Sequence, residues 1–169
     1  MSCSVEDLRW MSLALEEARL AMQEGEVPVG AVIVRNGLLL SRAHNLCERE
    51  TDATAHAECL AIGQACRKAS SWRLSDCTLY VTLEPCPMCA GAAVNARVGR
   101  IVYAAKDPRA GALGSLLICD PILLREGRLS SRDRWRVSRL HFCVPSLPKD
   151  AKKRRAFADF FALSSLQKR

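Results

Sequence analysis

At 169 residues the chain is long enough for one domain with a proper core and leaves little room for a second. Its 49% hydrophobic and 25% charged residues suit a globular fold, and no uninterrupted apolar run approaches the roughly 20 residues that cross a bilayer, so the composition argues against a membrane protein. The net charge of +7 is unevenly placed: residues 1–115 carry 12 Lys and Arg against 13 Asp and Glu, whereas residues 116–169 carry 13 against 5, a neutral body with a basic tail suited to a polyanion.

Residues 6–23 are expected to form an amphipathic helix, with Leu8, Met11, Leu15, Ala18 and Met22 at helical spacing and Gly25 as its stop. Two apolar strands, 27–34 and 38–40, flank Asn36-Gly37, a strong tight-hairpin signal. A polar loop over 45–54 leads to a helix over 55–68. A β-rich strand spans 78–83, Pro85 introduces a small-residue helix over 86–97, and a fourth strand covers 100–105. A glycine-containing loop follows at 107–115; 135–144 is a candidate fifth strand and 149–166 a closing helix. The order implies a mixed sheet with helices on its faces, in a single domain over 1–169.

The start, Met1 to Asp7, is acidic and lacks the apolar core of a signal peptide, so a cytoplasmic protein is expected. The nine cysteines are odd in number and irregularly spaced, which suggests reduced thiols rather than a disulfide framework. Cys86 and Cys89 alone form a metal-like pair.

That pair belongs to the informative constellation: His56-Ala57-Glu58, then Pro85-Cys86-Pro87-Met88-Cys89. Cysteines three apart in the first turn of a helix share a face, and the free amides there favour thiolates. One histidine and two cysteines make three zinc ligands; a structural site closes with a fourth protein ligand, for which Cys59 and Cys77 are candidates, while a catalytic site leaves that corner to water. Zinc can bring the pKa of bound water to roughly 7, and hydroxide addition to an amine-bearing ring carbon then needs a carboxylate to move protons. Glu58 is the candidate, with His56 in the helix's first turn. His-x-Glu followed by Pro-Cys-x-x-Cys is the signature of zinc-dependent base deaminases. His44 and His141 read as structural or surface residues, Met88 as packing, and Trp10, Trp72 and Trp135 as core or interface side chains.

Around these residues the sequence resembles the bacterial tRNA-specific adenosine deaminases. The resemblance covers Gly25 to Val32, Ala43-His44-Asn45, Asp52 to Glu58, Thr82 to Ala92 and Asp107 to Ser115, and touches Asp159-Phe160-Phe161. It implies a cytidine deaminase-like three-layer α/β/α sandwich with a mixed sheet of about five strands. It further implies a homodimer with one zinc in each subunit and conversion of adenosine to inosine at the first anticodon position of tRNA. Carried over residue by residue, His56, Cys86 and Cys89 hold zinc and Glu58 shuttles protons. Asn45 hydrogen-bonds the base, Val29 and Ala57 line its pocket, and Asp107 lies near a flanking ribose, whose 2′-hydroxyl distinguishes RNA. Ala53 stands where proline is usual and Ala104 where glycine is common, and residues 116–158 form a divergent, basic segment. Lys149, Lys152, Lys153, Arg154 and Arg155 are candidates to track RNA phosphates, and the anticodon stem-loop is the expected partner. Two other readings stand beside this one: a deaminase of a free base such as guanine or cytosine, and a non-catalytic RNA-binding or zinc-structural protein.

Overall fold

A computed structural model describes residues 4–115 and 141–142. The first helix, α1 (Val5–Gln23), opens on a capping box: Ser4 Oγ accepts from the Asp7 amide, and the Asp7 carboxylate accepts from the Ser4 amide. Its buried apolar residues are Trp10, Met11, Ala14, Ala18 and Ala21. This is not quite the stripe expected from periodicity, since Leu8 is 39% exposed and Met22 is exposed as well. The reason lies beneath the helix. Strand β1 (Gly30–Arg35) approaches so closely that a Cβ on Gly30 would come within 2.1 Å of the Ala14 carbonyl oxygen. Glycine on the strand allows that contact with the helix at Ala14, Glu17 and Ala18, so this close approach helps to set which residues of α1 face the sheet.

Asn36 and Gly37 both take positive φ and turn the chain into β2 (Leu38–His44). The β1–β2 register slips between Ile33 and Val34, the mark of a bulge. β2 runs further than the expected 38–40: beyond Leu40 its buried residues Ser41 and Ala43 alternate with Arg42 and His44. The loop expected over 45–54 contains a four-residue helix, α2 (Cys47–Glu50), which ends at Thr51 in the left-handed region. Next come α3 (Ala57–Lys68), β3 (Cys77–Leu83), α4 (Pro87–Asn95) and β4 (Arg100–Ala105). The last described element is β5 (His141–Phe142), part of the expected strand 135–144. The rest of that stretch and the expected helix over 149–166 lie outside the described residues.

Among the described residues the sheet has the order β2-β1-β3-β4-β5: four full strands plus the two residues of β5. β1 is antiparallel to both β2 and β3, while β3, β4 and β5 are parallel. α4 is the crossover that parallel β3 and β4 require. Alternate strand residues divide two cores. Val32, Val34, Tyr80, Val102 and Ala104 pack with Trp10 and Met11 of α1. Ala31, Ile33, Leu79, Val81 and Tyr103 pack with Ala61 and Ala65 of α3 and Ala90 and Ala93 of α4. The result is the α/β/α sandwich with a mixed sheet that the resemblance implies.

The buried acids Asp7 and Glu17 on the α1 side find partners within the chain. Arg100 grips Asp7 with both terminal guanidinium nitrogens, at 2.7 and 3.0 Å, and the Tyr80 hydroxyl donates to the same carboxylate at 2.8 Å. Glu17 meets Arg42 and His44, so His44 is a structural histidine. Trp10 is core, as expected. Trp72 is not: it is 52% exposed, with the guanidinium groups of Arg73 and Arg97 against its ring. Among the described residues no helix is long and apolar enough to cross a membrane.

Candidate active site

The N-termini of α3 and α4 converge. His56 is the N-cap of α3 and Cys86 the N-cap of α4, and neither side chain makes a capping hydrogen bond. N-caps are usually Ser, Thr, Asp or Asn bonded to their own helix. Here the two side chains point at each other instead. α4 begins one residue later than expected, with Pro87 rather than Pro85 as its opening proline, and Cys89 therefore lies at its third position. Cys86 Sγ is 3.7 Å and Cys89 Sγ 3.5 Å from His56 Nδ1. The three ligand atoms all lie within 4.8 Å of one another.

These separations can be tested against zinc. With Zn–S near 2.3 Å and Zn–N near 2.0–2.1 Å, a tetrahedron places sulfur and nitrogen about 3.6 Å apart. Both sulfur–nitrogen distances fall within about 0.1 Å of that edge. Two thiolates and a neutral imidazole also balance a divalent charge, so the residues fit the ion. Among the described residues the cluster contains no fourth protein donor. Cys59 Sγ touches Cys89 Sγ at 3.7 Å but does not join the mutually close set, and Cys77 contacts Asp76 at the start of β3. Among the described residues, neither Cys59 nor Cys77 belongs to the group of mutually close ligand atoms.

The protonation states point the same way. Hydrogen bonding from Cys89, opposed by burial and aided by His56, brings the Cys86 thiol down to about 4. Contact with Cys86 raises the His56 pKa against the effect of burial. Cys89 is pushed far upward, first by its contacts with Cys59 and Cys86 and then by burial. The cluster thus favours ionisation at Cys86 and opposes it at Cys89; because thiols bind metals as thiolates, a divalent ion held here would release protons on binding.

Glu58 is the second residue of α3 and is 4% exposed. Burial raises its pKa above the ordinary 4.5, opposed chiefly by its own backbone amide and by the charge of His56. A buried carboxyl with a raised pKa beside the His–Cys–Cys group is suited to proton transfer.

Asn45 takes over the capping that His56 does not perform. Its Oδ1 accepts from the Ala57 amide at 2.9 Å, and its backbone N–H donates to Val29. The oxygen of the Asn45 amide is thus committed to the start of α3. Val29 and Ala57 are buried together in the α3-side core. Asp107 is buried too, but its Oδ1 accepts from the amides of Arg109 and Ala110, so part of this carboxylate shapes its own loop. Lys149, Lys152, Lys153, Arg154 and Arg155 lie outside the described residues.

Two acids that sequence reasoning did not single out as site residues hold these loops in place. Glu84 is buried, and its carboxylate accepts from the amides of Asp107, Leu113 and Ser115 and from the Ser115 hydroxyl. Gly111 packs against it so tightly that a Cβ would come 2.4 Å from Glu84 Cδ. Glu26 accepts from the Arg49 amide and ties α2 to the turn after α1. Most of these donors are backbone amides, which every residue but proline has, so no residue pattern announces them.

Comparison with known proteins agrees with this geometry. The profile of the MafB19-like deaminase family matches residues 5–142. The tRNA-specific adenosine deaminase of Bacillus subtilis (strain 168) is 53% identical over 112 residues, which are 66% of this chain and 70% of that one. A solved structure from a study of A-to-I editing by tRNA:A34 deaminases at the wobble position superposes with a TM-score of 0.63 at 47% identity, covering 64% of this chain and 78% of that chain. A Bacillus subtilis guanine deaminase superposes with a TM-score of 0.56 at 39% identity, covering 58% of this chain and 63% of that chain. The chain belongs to the MafB19-like deaminase family, as a homologue of the tRNA-specific adenosine deaminases.

Proposed function

We propose that the protein hydrolyses the 6-amino group of adenosine at the first anticodon position of tRNA, giving inosine and ammonia. The observation that carries deamination is the three-ligand cluster with the buried Glu58 carboxyl beside it. The choice of tRNA is supported by the relative at 53% identity, a tRNA-specific adenosine deaminase.

His56, Cys86 and Cys89 would hold one zinc ion in each subunit. Bound there, zinc supplies Lewis acidity sufficient to make water a nucleophile near neutral pH. Glu58 takes a proton from the attacking water and passes it to the ring nitrogen next to the reacting carbon. It then moves a second proton to the amine, which leaves as ammonia. The Asn45 amide nitrogen donates to the base and orients it, while Val29 and Ala57 form the apolar wall against which it rests. Asp107 accepts from the 2′-hydroxyl of a flanking ribose and so favours RNA over DNA. Lys149, Lys152, Lys153, Arg154 and Arg155 contact phosphates of the anticodon stem-loop. An anticodon loop already presents unstacked bases, so drawing one into the site costs only a few kcal/mol.

The protein acts as a cytoplasmic homodimer, and residues 1–169 form one domain. Likeness to a guanine deaminase favours a second reading, deamination of a free base. Sequencing of total tRNA after incubation with purified protein separates the two. An A-to-G change confined to the first anticodon position supports the first reading; turnover of free guanine or cytosine with unaltered tRNA supports the second.

A further inference from the structure

Both helices that supply the ligands also carry a cysteine at the third position: Cys89 on α4, which is a ligand, and Cys59 on α3, which is not. The two sulfurs are in van der Waals contact at 3.7 Å. Closing them to a disulfide of about 2.05 Å needs an approach of only about 1.7 Å. Cys59 is half-buried, open enough for a small oxidant, and the deamination chemistry gives it no part. Among the described residues, Cys59 is the thiol outside the ligand set that touches a ligand sulfur.

We propose that Cys59 is an oxidative modification site: a peroxide converts Cys59 and Cys89 to a disulfide and expels the metal. The inference rests on zinc being held by His56, Cys86 and Cys89. The Cys59 sulfur attacks one peroxide oxygen; the S–O bond forms, the O–O bond breaks, and the departing hydroxide leaves as water with the thiol proton, giving a sulfenic acid. The Cys89 sulfur then attacks the Cys59 sulfur. The S–S bond forms and the S–O bond breaks, and the second hydroxide takes a proton from solvent and leaves as water. The two sulfurs lose two electrons, peroxide gains them, and zinc departs unchanged as the divalent ion. With Cys89 spent, His56 and Cys86 alone are too few to keep it. Disulfide exchange with an added thiol reverses the change.

The test uses the full-length, zinc-loaded protein, hydrogen peroxide and a chromogenic zinc chelator, with disulfide mapping by mass spectrometry. Expected is release of one zinc for each Cys59–Cys89 link formed, recovery on adding thiol and zinc, and release slowed at least about tenfold in Cys59→Ala and Cys59→Ser, both of which hold zinc beforehand. Two results overturn the inference while leaving the metal centre intact: a mapped Cys86–Cys89 link in place of Cys59–Cys89, or variants that lose zinc as fast as the parent. Protein that holds no zinc before peroxide is added overturns the metal-centre reading itself, and the inference with it.

Discussion

Asp7 and Glu58 are both acidic residues in the first turn of a helix, and both are buried, at 5% and 4% exposure. They lie on opposite faces of the sheet, and their environments push them in opposite directions. Burial raises the pKa of Asp7, but hydrogen bonds from Arg100, Tyr80 and Ser4 outweigh it and hold the carboxylate well below the ordinary 3.8. Burial also raises the pKa of Glu58, and nothing beside it reverses the effect. The α1 face pairs its buried acids with side chains of its own; the α3/α4 face gathers two thiols and an imidazole that could hold a metal ion, with a buried carboxyl beside them. A buried carboxylate with its counter-charge supplied serves the fold, and one without it is poised for chemistry.

Exchanging each acid for its amide breaks the comparison most sharply. Glu58→Gln is expected to lower single-turnover deamination by about 10²–10⁴-fold or more while zinc content and folding are retained, checked by product sequencing, metal analysis and thermal melting. Asp7→Asn is expected to do the reverse, costing about 2 kcal/mol of stability in urea unfolding while the folded variant keeps its turnover.

The pH dependence of stability should divide along the same line. Asp7 has a lowered folded pKa, so its contribution is complete above the ordinary carboxylate range and is lost as pH falls through the folded value. Asp7→Asn should remove that acid-side loss. Glu58 has a raised folded pKa, so in zinc-stripped protein stability falls as pH rises from the ordinary 4.5 toward the folded value, and Glu58→Gln should flatten that slope. Urea midpoints measured across pH for the parent and both variants check the two signs together.

The smallest expected effects concern the helix starts. Ser4→Ala removes one half of the α1 capping box and should cost about 1 kcal/mol without touching activity. Asn45→Ala uncaps α3 at a similar cost of about 1 kcal/mol and, on the proposed function, should also raise KM for the anticodon stem-loop.

The contrast between the faces also explains what could be read from the residues alone. The grouping of His56, Cys86 and Cys89 was legible because metal chemistry demands particular side chains at a short, fixed spacing. The hairpin was legible because Asn36-Gly37 carries the backbone conformation in its own identity. The end of β2 was not, since its alternation of Ser41 and Ala43 with Arg42 and His44 is too polar to stand out from a loop. The packed face of α1 was misjudged because Gly30, far along the chain, decides which helix residues approach the sheet. Glu84 and Glu26 escaped notice for a related reason: their partners are mainly backbone amides brought near by the fold. The exposed ring of Trp72 depends likewise on where Arg73 and Arg97 come to lie.

X-ray absorption at the zinc edge on purified, reduced protein tests the central claim most directly. The expected result is one zinc per chain bound by two sulfurs and one imidazole, with the remaining coordination from an exchangeable oxygen. Three sulfurs and an imidazole, or a protein that retains no zinc, would contradict it.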